Sequence, residues 1–382
     1  MRICGALWLA AAVCRAAVVA DTSVDLEAAV SDTVPHITLN WGLRLSGSIT
    51  AQTLLRRVHG ASNWTQTNVL ATSATQFADS NAVAGVQYEY WLKRTYNVLP
   101  YEAHGYLLSG LRIAPVERRG TLVLLVDASL AGELAPDIEQ LVEDLAGDGW
   151  QVLRHDIPRA MSVTNVRELI RQNYLANSND VKTVYVLGHV PVPYSGQIAP
   201  DGHSNHSGAW PADVYYAELN STWTDASVNS TSASDPRNRN VPGDGKFDQS
   251  TIPSPVELQI GRVDLYNMTL FPNTTVTEAA LMRRYLRRAH DYRTLSGVFS
   301  NDVLRRVLVD DSFGYYMNAE AFANTAYRTA SAWCGRDAGT LVNSDWFGTL
   351  GTGAFLFAYG AGGGSYTSAG GVGTSTDFGL YP

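Results

Sequence analysis

Cysteine is nearly absent. The 382 residues contain three, Cys4, Cys14 and Cys334, and the first two fall inside the opening apolar stretch. The thiol that remains cannot close an internal disulfide, so the fold must rest on a buried core, which a chain of this length can supply. Charge is also scarce, at 17% of residues against 45% hydrophobic, a balance that excludes a disordered chain. With a formal net charge of −8, the protein offers nucleic acid no overall attraction. Beyond the N-terminus no apolar run reaches membrane-spanning length. Phosphate-binding loops are missing too. No GxxxxGK[ST] occurs, and Gly351–Gly373 shares only its glycine content with a phosphate cradle.

What is present begins with Met1–Ala20. Arg2 supplies a positive start, Ile3–Cys14 is mostly apolar, and Val18-Val19-Ala20 leaves small residues at a cleavage edge. Residues 1–20 therefore read as a secretory signal, and the mature protein is expected to be extracellular or periplasmic. Residues 21–115 read as a small all-β domain, with strands at Ile37–Trp41, Thr53–Val58, Val86–Tyr96 and Tyr106–Ile113. An early-strand tryptophan, with Gly85-x-x-Tyr88-x-Tyr90 entering a late strand, resembles a fibronectin type III-like sandwich pinned by a tyrosine corner.

From residue 120 to 382 strands and helices alternate. Thr121–Val126 is a continuous apolar run suited to a central parallel strand buried on both faces. Ile138, Leu141, Val142 and Leu145 follow at helical spacing; then come strand Trp150–Leu153, helix Val166–Ala176 and strand Thr183–Leu187. A long polar excursion returns in Val256–Val263. Helix Val276–Tyr292, strand Arg306–Asp310, helix Ala319–Ser331 and strand Ala354–Tyr359 complete the pattern. The expected fold class is α/β: a mostly parallel, doubly wound sheet behind the all-β sandwich. The four arginines of the helix, Arg283, Arg284, Arg287 and Arg288, read as a solvated face.

Three constellations could carry chemistry. Asn240-Val-Pro-Gly-Asp244-Gly-Lys246-Phe-Asp248 places oxygen ligands at the first, fifth and ninth positions and glycine at the sixth. It resembles the calcium loops of EF-hand-like and dockerin repeats, although Pro242 and Thr251 replace two of their ligands. The expected metal set is Asn240, Asp244, Lys246 and Asp248, around a structural calcium. A second loop, Asp201-Gly-His203-Ser-Asn-His206, has two imidazoles that could bind zinc, in no recognised zinc spacing. Finally, Asp127 and Asp310–Asp311 sit at the carboxyl ends of strands, where α/β sheets place their sites, or where a carboxylate simply caps the next helix.

Val186-Leu-Gly188-His189-x-x-Pro, Pro211-Ala-Asp213-Val-Tyr215-Tyr216 and Gln259-Ile-Gly261-Arg262-Val stand in an order that resembles the gingipain family of secreted cysteine peptidases. The resemblance extends through the Arg/Tyr-rich helix Met282–Arg293 and the aromatic strand Phe355–Tyr359. It implies a caspase-like fold acting on protein or peptide, with a histidine in a turn after such a strand and a nucleophilic cysteine after the next. Here that turn reads Tyr359-Gly-Ala361-Gly-Gly-Gly364-Ser365, no histidine follows His290, and Cys334 precedes the strand. The expectation is a protein of this proteolytic class that is truncated or non-catalytic. Any site would lie around His189, Asp213 and Ala361–Ser365, with the Gly363 and Gly364 amides as oxyanion donors. The alternatives are a calcium-stabilised adhesion module and, through His203 and His206, a metal hydrolase.

Overall fold

The computed structural model describes residues 23–43, 48–97, 102–114, 116–200, 202–268, 276–297, 306–311, 330, 341–353, 355–365 and 368–374. Residues 1–20, read above as a signal, Cys334, Asp201 and all of the expected helix Ala319–Ser331 except Ala330 lie outside the described residues. The chain divides into two compact units. One comprises Met1–Pro115, Leu270–Pro272 and Leu295–Pro382; the other comprises Val116–Thr269 and Asn273–Thr294.

Within the first unit, strands β1 (Leu26–Ser31), β2 (His36–Trp41), β3 (Ile49–Val58), β4 (Gln66–Leu70), β5 (Gln76–Asp79), β6 (Gln87–Tyr96) and β7 (Ala103–Gly110) form two antiparallel sheets. Their orders are β1-β2-β5 and β4-β3-β6-β7. Period-two alternation drives the pairing: every second residue of β6, from Tyr88 to Tyr96, is buried. Leu26, Ile37, Leu39, Trp41, Leu54, Tyr90 and Leu92 share one core, each large side chain contributing roughly 1.5–3 kcal/mol on leaving water. One buried polar group, Gln52, is fully used. Its Nε2 amide donates to the carbonyls of Ala71, Thr72 and Ala74, and its Oε1 accepts from Trp41 Nε1 and Arg94 Nε. The Tyr88 hydroxyl accepts from the Val83 amide at 3.2 Å, holding the turn that leads into β6. Strands β1, β4 and β5 carry too few apolar residues in alternation to stand out in the sequence; they are edge strands or short.

The second unit is built on a four-stranded parallel sheet of β8 (Gly120–Asp127), β9 (Trp150–Ile157), β10 (Val181–Leu187) and β13 (Gln259–Val263), in the order β13-β10-β8-β9. Every residue of β8 is buried. Leu122, Leu124 and Val126 face α2 (Ala135–Gly147) and α4 (Glu278–Thr294), while Val123 and Leu125 face α3 (Val163–Ala176) and the turn at Tyr215–Tyr216. A short helix, α1 (Ala128–Ala131), follows β8, and a two-stranded antiparallel ribbon, β11 (Tyr194–Ile198) and β12 (Gly208–Pro211), occupies the long excursion.

Two expectations need correcting here. Strand Val256–Val263 begins only at Gln259, because the amides of Glu257 and Leu258 donate to Ala217 O and the Glu257 carboxylate accepts from Leu219 N. The helix arginines are not all solvated. Arg283 pairs with Asp137 at 3.1 Å, and His290 and Arg293 reach Asp144 and Asp148, so this side of α4 is fastened to α2. Arg284, Arg287 and Arg288 are exposed as expected.

The C-terminal part of the first unit contains a three-stranded parallel sheet, β15-β14-β16, from β14 (Val307–Asp311), β15 (Leu341–Asn343) and β16 (Phe357–Ala361). Helix α5 (Trp346–Leu350) is capped by Asp345, which accepts from Gly348 N, and its first amide, from Trp346, donates to Asp310 at 3.0 Å.

Candidate functional site

In the parallel sheet, β8 lies between β9, which follows it in the chain, and β10, which comes later. The chain reverses its direction of travel across the sheet at β8, and the carboxyl ends of β8 and β10 flank the resulting crevice. That is the position at which open α/β sheets bind ligands. Three residues that end or follow strands meet there: Asp127 at the end of β8, His189 after β10 and Asp264 after β13.

Asp127 is fully buried. One oxygen accepts from the amide and hydroxyl of Ser129, capping α1, and the other from the His189 amide at 3.1 Å and from Arg159 Nε at 2.7 Å. Burial works against its charge, but the Arg159 and Ser129 bonds outweigh it and hold the carboxyl below its usual range. The approach of the two strand ends requires Gly188. Its φ is +89°, and a Cβ there would meet the Asp127 Cβ at 2.6 Å.

The His189 ring is fixed from two sides. Nδ1 lies 2.8 Å from Asp264 Oδ2, and the ring stacks on Tyr266 with centroids 4.0 Å apart. Asp264 holds that tyrosine in place by accepting from its amide at 2.9 Å. The Arg159 guanidinium sits 4.7 Å above the other ring, that of Tyr266, and also pairs with Glu278 at 2.8 Å. Arg262 extends the network: it donates twice to Asp213, at 2.8 Å each, and reaches the carbonyls of Val190 and Pro191. Its guanidinium lies 3.9 Å from Asp264. Two arginines, one histidine, one tyrosine and four carboxylates thus interlock at one sheet edge, with the His189 side chain one-third exposed. A histidine held through Nδ1 by a carboxylate is oriented to exchange a proton or a hydrogen bond at its other ring nitrogen.

The structure brings His189 and Asp213 together through Arg262 and Asp264. Gly363 and Gly364 belong to the other unit. There Gly363 O accepts from the Gly370 amide at 2.7 Å, and Gly364 begins β17 (Gly364–Ser365), paired to β18 (Ser368–Ala369). A Cβ on Gly364 would meet Ser368 O at 1.9 Å, so backbone packing explains this glycine. His203 and His206 have ring centroids 5.6 Å apart on an exposed turn. Among the described residues no group of three or more His, Cys, Asp or Glu side chains is placed to hold a metal.

Every carboxylate of the proposed calcium loop faces hydrogen-bond donors. Asp244 accepts from the amides of Val241 and Lys246 and from Lys246 Nζ at 2.9 Å, and that ammonium also donates to Arg239 O. Asp248 accepts from the amides of Ala226, Ser227 and Val228. Burial opposes its charge, yet these amides and the Thr224 side chain keep its carboxyl far below the usual range. Asn240 donates to Gly196 O and Phe247 O, while its own Oδ1 is buried without a partner. Asp225, which the loop spacing did not single out, accepts from Gly243 and Gly245 at 2.7 Å.

Sequence reasoning missed Arg159, Asp264, Tyr266 and Glu278. Asp264 carried a usable signal: like Asp127, it directly follows an apolar strand. Arg159 and Glu278 carried none, since their meeting depends on how α4 crosses the sheet.

No family model matches the chain. No curated protein matches it either. Solved structures give low-scoring likenesses. An Fn3-like protein from Clostridium thermocellum is 18% identical over 24% of this chain and 92% of that one, with a TM-score of 0.18. Pectate lyase PelI from Erwinia chrysanthemi is 15% identical over 43% of this chain and 42% of that one, with a TM-score of 0.20. A redesigned β-sandwich protein is 14% identical over 22% and 90%, at 0.19. Scores this low carry no argument about what the chain does.

Proposed function

We propose that this is a secreted protein of the gingipain-like cysteine-peptidase class in which the carboxyl edge of the parallel sheet recognises polypeptide without a working Cys–His dyad. A fibronectin type III-like sandwich precedes a caspase-like α/β domain in this reading. The strand orders of the two antiparallel sheets, and the helices on both faces of the parallel one, are compatible with both. One observation carries the reading. The three segments that bear the family resemblance converge on a single cluster: His189 on Asp264 at 2.8 Å, and Asp213 on Arg262 at 2.8 Å. The cluster offers a peptide an oriented imidazole and an exposed aromatic ring, Tyr266. Labelled casein peptides should bind the full chain, and His189→Ala should weaken binding about tenfold, the scale of one lost charge-assisted hydrogen bond. Casein hydrolysis that iodoacetamide abolishes would overturn the non-catalytic assignment. Failure to bind peptide at all would overturn the proposal itself.

A second reading, a calcium-stabilised module, is favoured by the orphaned Asn240 Oδ1. Asn240, Asp244 and Asp248 would supply oxygen ligands, and the ion must displace the Lys246 ammonium from Asp244. Millimolar calcium should then raise the melting temperature and chelator lower it, since a ligand of the native state alone adds stability. A melting temperature indifferent to both removes this reading.

A further inference from the structure

The sheet β4-β3-β6-β7 has an outer face that an ordinary sandwich would fill with polar residues. The inward residues of β6, Tyr88, Tyr90 and Leu92, are buried in the core. The register sets Trp91 directly opposite Tyr106 and opposite Leu55 on the outward side. The Trp91 and Tyr106 rings lie 5.5 Å apart and within 19° of parallel, and Trp64 stands beside them, 5.4 Å from Trp91 and tilted 50° to it. Tyr106 is 37% exposed and its neighbour Leu108 47%, and Trp64 and Trp91 are half-buried, so solvent reaches the row chiefly at its Tyr106 end. Exposed aromatic patches of this kind mark binding surfaces.

We propose that this face binds a neutral polysaccharide, specifically a β-linked glucan whose pyranose rings carry equatorial hydroxyls. Such a ring has an apolar C–H face and a hydroxyl rim, and the platform matches both parts. Aromatic rings attract the weakly positive C–H bonds. Around them the charges are paired on the sheet: Glu89 with Arg57 at 2.5 Å and with His59 at 2.9 Å, and Lys93 with Glu102 at 3.1 Å. These pairs leave no excess charge to select a nucleic acid or an acidic peptide, and they retain donors and acceptors for hydroxyls. They also stiffen the platform, with Arg57 4.5 Å from the Trp64 ring and Lys93 5.2 Å from that of Trp91. An aromatic surface rigid before binding loses little entropy on binding. This surface is distinct from the His189 cluster, so the proposal stands or falls independently of the peptide-binding reading.

The test is native electrophoresis of the full chain through gels containing hydroxyethylcellulose or laminarin, with dextran sulfate as the charged control. Retardation is expected in at least one neutral glucan, reduced tenfold or more in Trp91→Ala and Tyr106→Ala. Because loss of an indole could unfold the sandwich, the unsubstituted protein is also titrated with cellohexaose and laminarihexaose, where a saturable change in tryptophan fluorescence is expected. No retardation and no fluorescence change overturns the proposal, as does retardation by dextran sulfate alone. Binding that survives both substitutions in folded protein overturns it too. If sedimentation shows self-association that Trp91→Ala abolishes and glucan does not reverse, the face is an interface between copies and the proposal fails.

Discussion

Asp127 shows how much one side chain can organise. Its carboxylate, itself out of reach of water, links the end of β8, the start of α1, the turn after β10 and Arg159. Asp127→Ala should therefore cost about 3 kcal/mol, the low end for breaking a buried ion pair, because Glu278 still holds the orphaned arginine. The urea midpoint checks this, and a loss below about 1 kcal/mol would deny Asp127 its organising role. Lys246 is the second telling residue. Its ammonium occupies the position a cation would need at Asp244, so Lys246→Met should strengthen calcium binding measured by calorimetry. Unchanged heats in the variant would show that the ammonium does not guard the loop. Of these two residues Asp127 was legible in the sequence, because a carboxylate after an apolar strand signals its position. The ammonium of Lys246 was not, because a ligand pattern records which residues stand in a loop and not which of them neutralise one another.

The elements were easier to read where their burial is complete. Strand β8 and helices α2, α3 and α4 announced themselves by apolar spacing, since each turns a continuous stripe or both faces into the core. The edge strands β1, β4 and β5 were silent, because one solvated side and short length leave little pattern to read. The turn from β10 into the site is the most constrained junction. A side chain at Gly188 would combine a left-handed backbone with a clash against Asp127, so Gly188→Ala should destabilise by about 1–3 kcal/mol. Gly245→Ala shares the positive φ but opens on free space, and should cost less. Comparing the two denaturation midpoints isolates the clash; equal losses would assign the whole effect to backbone strain.

At the scale of the molecule, several carboxylates among the described residues are held below their ordinary range. A bond from the Gly60 amide, set against burial and joined by Arg57 and His59, takes Glu89 from 4.5 to about 2. Arg118 and Thr121 take Asp180 from 3.8 to about 2. Asp127, Glu218 and Asp244 shift the same way. The unfolded chain therefore binds more protons than the folded one in acid, and stability present above the ordinary carboxylate range is lost as pH falls through the depressed values. The urea midpoint should hold steady down to about pH 5 and fall between about 4.5 and 2. Glu89→Gln should lessen that fall, and a midpoint flat to about pH 2.5 would contradict the assignment. Strand β8 lies inside its sheet, between β10 and β9. Its parallel partners begin only at Trp150 and Val181, so no hairpin can shelter it as it leaves the ribosome. An uncharged run of Thr121–Val126 thus stays sticky through two crossovers, and synthesis should be the stage at which this protein depends most on chaperones.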